Sequence, residues 1–218
     1  MTMKRVLITG ANRGLGRCLK KQFSQKGCTV FGHSRKGDQQ LTGDITNDEF
    51  PDTLEHFLID NQIDIFINNA AIYEFKNFID YDASDIKKII DTNLTSQILM
   101  LQRVYKYFYS RNEGFIANIN SLAGRHPSPT ELIYGATKHG LRAFSESLQI
   151  ASRDTNIKIV DFYPGAMKTV MTLGRDGFDS FMNPGEVAQV VCDTLLNQKD
   201  TLLTTEVVIR KFNQRKTP

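Results

Sequence analysis

Apolar and polar positions alternate along this chain in two rhythms. Short apolar runs lie at residues 4–8, 29–32, 63–67, 115–119, 157–162 and 206–209, with a weaker one at 40–45. Runs of this length without a polar face read as strands buried on both sides. Between them apolar residues recur every three or four positions, the helical period. The longest such stretch is 84–111, where Ile86, Ile89, Ile90, Leu94, Ile98, Leu101, Val104 and Phe108 share one face. Shorter helices are expected at 17–26, 48–60, 134–150 and 184–196. Strand and helix alternate without a repeat, linker or second compositional zone. That predicts one α/β domain, residues 1–218, with helices on both faces of a parallel sheet of about seven strands. Residues 170–183, polar and holding Gly174 and Gly177, break the pattern and read as a mobile lid.

The polar residues that matter sit where strands end. The first strand runs straight into Thr9-Gly10-Ala11-Asn12-Arg13-Gly14-Leu15-Gly16, and a helix follows. A strand, a glycine turn and a helix form the setting of a nucleotide site, because the helix N-terminus faces the phosphates. Gly10 supplies backbone freedom, and Gly14 and Gly16 are expected to clear space for a pyrophosphate. The second strand ends in His33-Ser34-Arg35-Lys36, with no Asp or Glu anywhere in 29–37. An acidic residue there would select the free ribose hydroxyls of NAD, whereas arginine accepts the 2′-phosphate of NADP. Arg35 and Arg13 therefore point to NADP(H), planar guanidinium forks being suited to a phosphate dianion. The competing reading leaves Arg35 an exposed loop residue. Asp44 either meets the adenine or caps the next helix. Asn68-Asn69-Ala70-Ala71 follows the fourth strand and Asn120-Ser121 the fifth, so amides and a hydroxyl meet the sheet's carboxyl edge, where open parallel sheets bind ligands. Asn93 stands among the apolar positions of the long helix, as a satisfied core amide or as a bend holding a water. Tyr134 and Lys138, four apart, project from one helical face. Tyr163-Pro164-Gly165-Ala166-Met167-Lys168-Thr169 closes the sixth strand.

Composition narrows the partners. The 218 residues are 40% hydrophobic, enough for a sizeable core, and the net charge is only +3. With 27 Lys+Arg and 24 Asp+Glu interspersed, no nucleic-acid footprint is expected, and the basic residues Arg210, Lys211, Arg215 and Lys216 read as a solvated tail. Cys18, Cys28 and Cys192 give neither a disulfide framework nor a zinc spacing, and the four histidines form no metal motif. No apolar run nears the roughly 18 residues of a membrane span, and no signal-peptide core opens the chain. A reduced, cytoplasmic protein without metal is expected.

Taken together, these pieces resemble the short-chain dehydrogenase/reductase family, in its compact single-domain branch. The resemblance runs from about Lys4 to Thr169 and rests on the glycine turn, Asp44, Asn68-Asn69-Ala70, Asn93, Ser121, Tyr134 with Lys138, and Pro164-Gly165 with Thr169, in the family's order. It implies a Rossmann-type doubly wound sheet and an NADP(H)-dependent carbonyl reductase or alcohol dehydrogenase acting on a small molecule. By resemblance Tyr134 is the general acid or base, and Lys138 lowers the phenol's pKa and bonds the nicotinamide ribose. Ser121 would polarise the substrate oxygen and Asn93 hold a relay water. Cofactor contacts would fall to Gly10, Asn12, Arg13, Gly14, Leu15, Gly16, Ser34, Arg35, Asp44, Ile45, Asn69, Ala70, Tyr134, Lys138, Pro164, Gly165, Met167 and Thr169. Ala71 replaces a family glycine, and the end lacks the glycine-rich closing segment of tetrameric relatives, so a homodimer and a more open pocket are expected. Two other readings remain: a non-catalytic NADP(H) sensor, and an isomerase or dehydratase using the same tyrosine. Arg125, His126 and Arg175 flank the expected pocket, and Phe178 and Phe181 lie in the lid, without identifying a substrate.

Overall fold

The computed structural model describes residues 3–198 and 202–212, so Arg215 and Lys216 of the basic tail lie outside the described residues. Seven parallel strands form one sheet: β1 (Arg5–Ile8), β2 (Thr29–Ser34), β3 (Leu41–Thr42), β4 (Ile65–Asn68), β5 (Gly114–Ile119), β6 (Ile157–Pro164) and β7 (Glu206–Ile209). Their order is β3-β2-β1-β4-β5-β6-β7, so the chain winds outward from β1 one way and then the other. The reversal opens a crevice between β1 and β4 at the carboxyl edge.

Unbroken apolar strands are explained by the two layers they face. Val6, Ile8, Ile65, Ile67, Val160 and Phe162 pack with α1 (Gly14–Gln25) and α6 (Pro184–Leu196). The alternate residues Leu7, Phe66, Ile116 and Ile159 pack under α2 (Phe50–Asp60), α4 (Ser96–Arg111) and α5 (Leu132–Ala151). A polar line crosses this second face. Asn68, Asn118 and Asp161 share one level of the ladder, and Asn68 Nδ2 donates to Asn118 Oδ1 at 3.2 Å. Asn118 Nδ2 donates to Ser145 Oγ at 3.0 Å, whose hydroxyl donates to Asp161 Oδ2 at 2.5 Å.

Three expectations change at the element scale. The helix read over 84–111 is interrupted: α3 (Ala83–Ile90) gives way to a π-helical turn, Asp91–Thr95, before α4. The weak third strand shrinks to Leu41–Thr42. Asp44 does not cap α2, whose N-cap is Glu49; its carboxylate accepts from Thr46 N and Thr46 Oγ1 in a local turn. The lid contains two short 3-10 turns, Val170–Thr172 and Phe178–Ser180, and is tied down at its ends by a bridge between Met167 and Met182. No described helix is long and apolar enough to cross a membrane.

Candidate active site

The glycine turn is shaped by its own backbone. Gly10 has φ +68° and Gly14 φ +53°, the left-handed region glycine tolerates best. A Cβ on Gly16 would stand 2.1 Å from the Gly10 carbonyl oxygen, so that glycine is required by the packing of α1 against β1. The helix–strand packing is thus a reason for Gly16 beyond the expected clearance for a pyrophosphate, and Gly16 also lines the cavity. Thr9 holds the facing loop: its hydroxyl accepts from Asn69 N and Ala70 N, both at 2.9 Å, while Asn69 Nδ2 donates to Thr9 O at 2.7 Å. Arg13 is the N-cap of α1 and offers no side-chain cap, so the first amide N–H groups of the helix remain available to an anion.

These elements border a cavity of about 760 Å³. Its wall includes Gly10, Asn12, Arg13, Gly14, Leu15, Gly16, Ser34, Arg35, Asp44, Ile45, Asn69, Ala70, Tyr134, Lys138, Met167 and Thr169. Pro164, Gly165, Ser121 and Asn93 lie off that wall. A second cavity, about 830 Å³ between the lid's end, α6 and β7, contains none of the candidate residues. The first fits a nicotinamide dinucleotide: a glycine cradle and a bare helix N-terminus at one part, and the exposed Arg13 and Arg35 with Ser34 at the end of β2. Burial pushes the Asp44 carboxyl up, but hydrogen bonds from Thr46, helped by the Arg35 charge, outweigh it and hold it below its ordinary value.

Tyr134 and Lys138 lie on one face of α5, and the Lys138 ammonium sits 5.7 Å from the Tyr134 ring centroid. Lys138 is 3% exposed and donates to Ile119 O at 3.0 Å. Burial lowers it from 10.5 to about 8 against the opposing pull of the Asp161 carboxyl. Tyr134 moves opposite to expectation. Burial drives its phenol well above the ordinary value, partly offset by a hydrogen bond with Ser121. Desolvation outweighs any help from a lysine that lies beside the ring and bonds a carbonyl. Ser121 is positioned by Asn120, whose Oδ1 accepts from Ser121 N at 2.9 Å and whose Nδ2 donates to Lys138 O at 3.2 Å. The Asn93 side chain anchors the loop after β4: Oδ1 accepts from Ile72 N at 2.9 Å and Nδ2 donates to Ile72 O at 2.7 Å. Each amide atom thus has a core partner in a bent helix, and one N–H and one lone pair of the amide remain.

Beside Tyr134, outside the residues that line the cavity, sequence reasoning missed two partners. Tyr73 meets the Tyr134 ring edge-on at 5.2 Å, and Glu131, the residue before α5, pairs with Arg175 of the lid at 2.8 Å. Neither belongs to a motif; Tyr73 reaches the site only because the loop after β4 folds back over it. Of the charged candidates, Arg175 alone stays near the phenol. Arg125 pairs with Glu206 and stacks on Tyr163, and His126 bonds Arg210.

Comparison with known proteins agrees with this geometry. The family model described as short chain dehydrogenase matches residues 4–176. An uncharacterized oxidoreductase of Staphylococcus epidermidis is 29% identical over 226 residues, covering 95% of this chain and 96% of that protein. The NADP-dependent 3-hydroxy acid dehydrogenase of Shigella flexneri is 31% identical over 176 residues, 73% of this chain and 71% of that protein. A 3-oxoacyl-[acyl-carrier protein] reductase from Brucella melitensis, solved with NAD, superposes with a TM-score of 0.86 at 21% identity, covering 95% of this chain and 96% of that one.

Proposed function

The chain belongs to the short-chain dehydrogenase family, and on that premise we propose that it is an NADP(H)-dependent carbonyl reductase or alcohol dehydrogenase for a small molecule. One observation carries the proposal: a half-buried tyrosine and a buried lysine, Tyr134 and Lys138, share a helix face and open onto the same cavity as the glycine turn. When bound, the nicotinamide supplies or accepts the hydride. Gly10, Gly14 and the N-terminus of α1 would hold the pyrophosphate, Arg13, Ser34 and Arg35 the 2′-phosphate, Asp44 and Ile45 the adenine, and Lys138 with Thr169 the nicotinamide half.

The protein's own part is proton transfer and placement. In reduction Tyr134 donates its phenolic proton to the oxygen that becomes an alkoxide. A phenol kept neutral by burial is ready for that task. The Ser121 hydroxyl, which donates to the phenol oxygen in the free protein, would turn its one O–H to the same substrate oxygen. The Lys138 ammonium then stabilises the phenolate left behind, and its depressed pKa of about 8 lets it exchange protons near neutrality.

Tyr134→Phe should reduce turnover of a carbonyl panel by at least about 10²-fold, the usual weight of a general acid, with NADPH affinity nearly unchanged. NADPH oxidation followed at 340 nm (a wavelength of the assay, on the order of the nicotinamide absorbance) checks this, and undiminished turnover would remove Tyr134 from the mechanism. Product formation without NADPH consumption would favour an isomerase or dehydratase instead.

A further inference from the structure

Three side chains from three parts of the chain converge beside the Tyr134 phenol, and none of them lines the dinucleotide cavity. Arg175 lies over the Tyr73 ring at 5.1 Å and over Phe181 at 5.8 Å, which fixes the plane of its guanidinium. One of its nitrogens bonds Glu131 Oε1 at 2.8 Å. The Tyr73 hydroxyl is buried and has no hydrogen-bond partner among the described residues. A buried hydroxyl without a partner is costly, and such groups mark places where a ligand completes the bonding. Tyr73 meets the Tyr134 ring edge-on at 5.2 Å, Arg175 lies over Tyr73 and Glu131 bonds Arg175, so the three adjoin the ring on which a substrate carbonyl would rest. Asp176 and Asp179, the lid's carboxylates, are exposed.

We propose that Arg175 and the Tyr73 hydroxyl bind the carboxylate of a short oxo acid, or of the corresponding hydroxy acid, whose carbonyl or alcohol lies on Tyr134. The guanidinium has five donors and Glu131 takes one, so a fork remains for a second carboxylate, with the Tyr73 O–H as a further donor. Glu131 is the competitor: it pairs with the lid arginine and shares it with the substrate. In reduction the carbonyl carbon gains the hydride and its oxygen the phenolic proton, and the carboxylate is unchanged. This assignment rests on the reductase reading above and adds its substrate class.

The test compares acid with ester. Steady-state reduction of 2-oxobutanoate, 3-oxobutanoate and their methyl esters would be measured for the wild type, Arg175→Met, Arg175→Lys and Glu131→Gln, with NADPH affinity and thermal melts confirming folded protein. Arg175→Met should lower kcat/KM for the acids roughly 10- to 100-fold, the worth of a charge-assisted fork, and leave the esters within about threefold. Arg175→Lys should fall between, keeping the charge and losing the fork. Glu131→Gln should lower the KM for the acids several-fold and leave that for the esters. Equal losses on acid and ester, or none on either, overturn the carboxylate assignment while Tyr134-dependent ester reduction keeps the reductase reading. A wild type that reduces none of the four compounds overturns the carboxylate assignment, and the reductase reading then stands or falls on the carbonyl panel with Tyr134→Phe.

Discussion

A lysine buried to 3% exposure carries a measurable consequence. Lys138 in the folded chain loses its proton near pH 8, against 10.5 when unfolded, because burial disfavours the ammonium. Between those values the unfolded state binds more protons at this group, so the Lys138 contribution to stability rises with pH across that window, opposed above about pH 9 by Cys192, whose thiol burial raises to about 11. Below about pH 8 the buried charge costs on the order of 3 kcal/mol. The Asp161 carboxyl, pushed up to about 7 by burial, has titrated before the window opens. Tyr134, raised above its ordinary value, costs stability only above about pH 10, where the unfolded tyrosine ionises first. Urea unfolding of the cofactor-free protein at pH 7.5 and pH 9.5 (conditions set roughly either side of the Lys138 transition) should show the gain. Lys138→Met should abolish it and be the more stable protein at the lower pH. The same gain in the variant would assign the titration elsewhere.

At the scale of elements, the glycine turn and the π-helical turn are the two irregular pieces that build the site. Gly16→Ala forces a methyl to within 2.1 Å of a backbone oxygen, which no rotamer relieves. It should cost about 1–3 kcal/mol or more by thermal melt and weaken dinucleotide binding, since α1 must move away from β1. Asn93→Ala strands the N–H and C=O of Ile72 and should cost about 1–3 kcal/mol. Activity should fall with it, because the loop carrying Tyr73 loses its anchor to the helix. An Asn93→Ala protein as stable and active as the wild type would mean that the turn forms without the amide. The heptad-like run of isoleucines and leucines through 84–111 gives no sign of this turn. One extra residue leaves the apolar stripe nearly in register, and what demands it is the partner Ile72, 21 residues away.

Over the whole molecule, the cofactor preference and the assembly are open to direct measurement. A ligand that binds only the folded state raises the melting temperature by mass action, so NADPH should stabilise more than NADH at equal concentration. Arg13→Ala with Arg35→Ala should erase the difference, and a larger shift with NADH in the wild type would overturn the phosphate assignment. Sedimentation should give a homodimer; a monomer or tetramer would refute that expectation. Much of this was legible from residue order alone. Apolar runs, helical spacing and the polar residues closing each strand set out about seven strands, the layers and the location of the ligand edge, because burial on two faces and backbone geometry are local, periodic demands. The double winding and the pairing of Tyr134 with Lys138 as a site came from the family resemblance, since two residues one turn apart on a helix carry no role by spacing alone. The direction of the Tyr134 shift, the commitment of Asn93 to Ile72 and the meeting of Tyr73, Glu131 and Arg175 were decided only by the tertiary structure. Each depends on how much water the packed chain removes and on which distant backbone arrives, and neither quantity is carried by any single stretch of sequence.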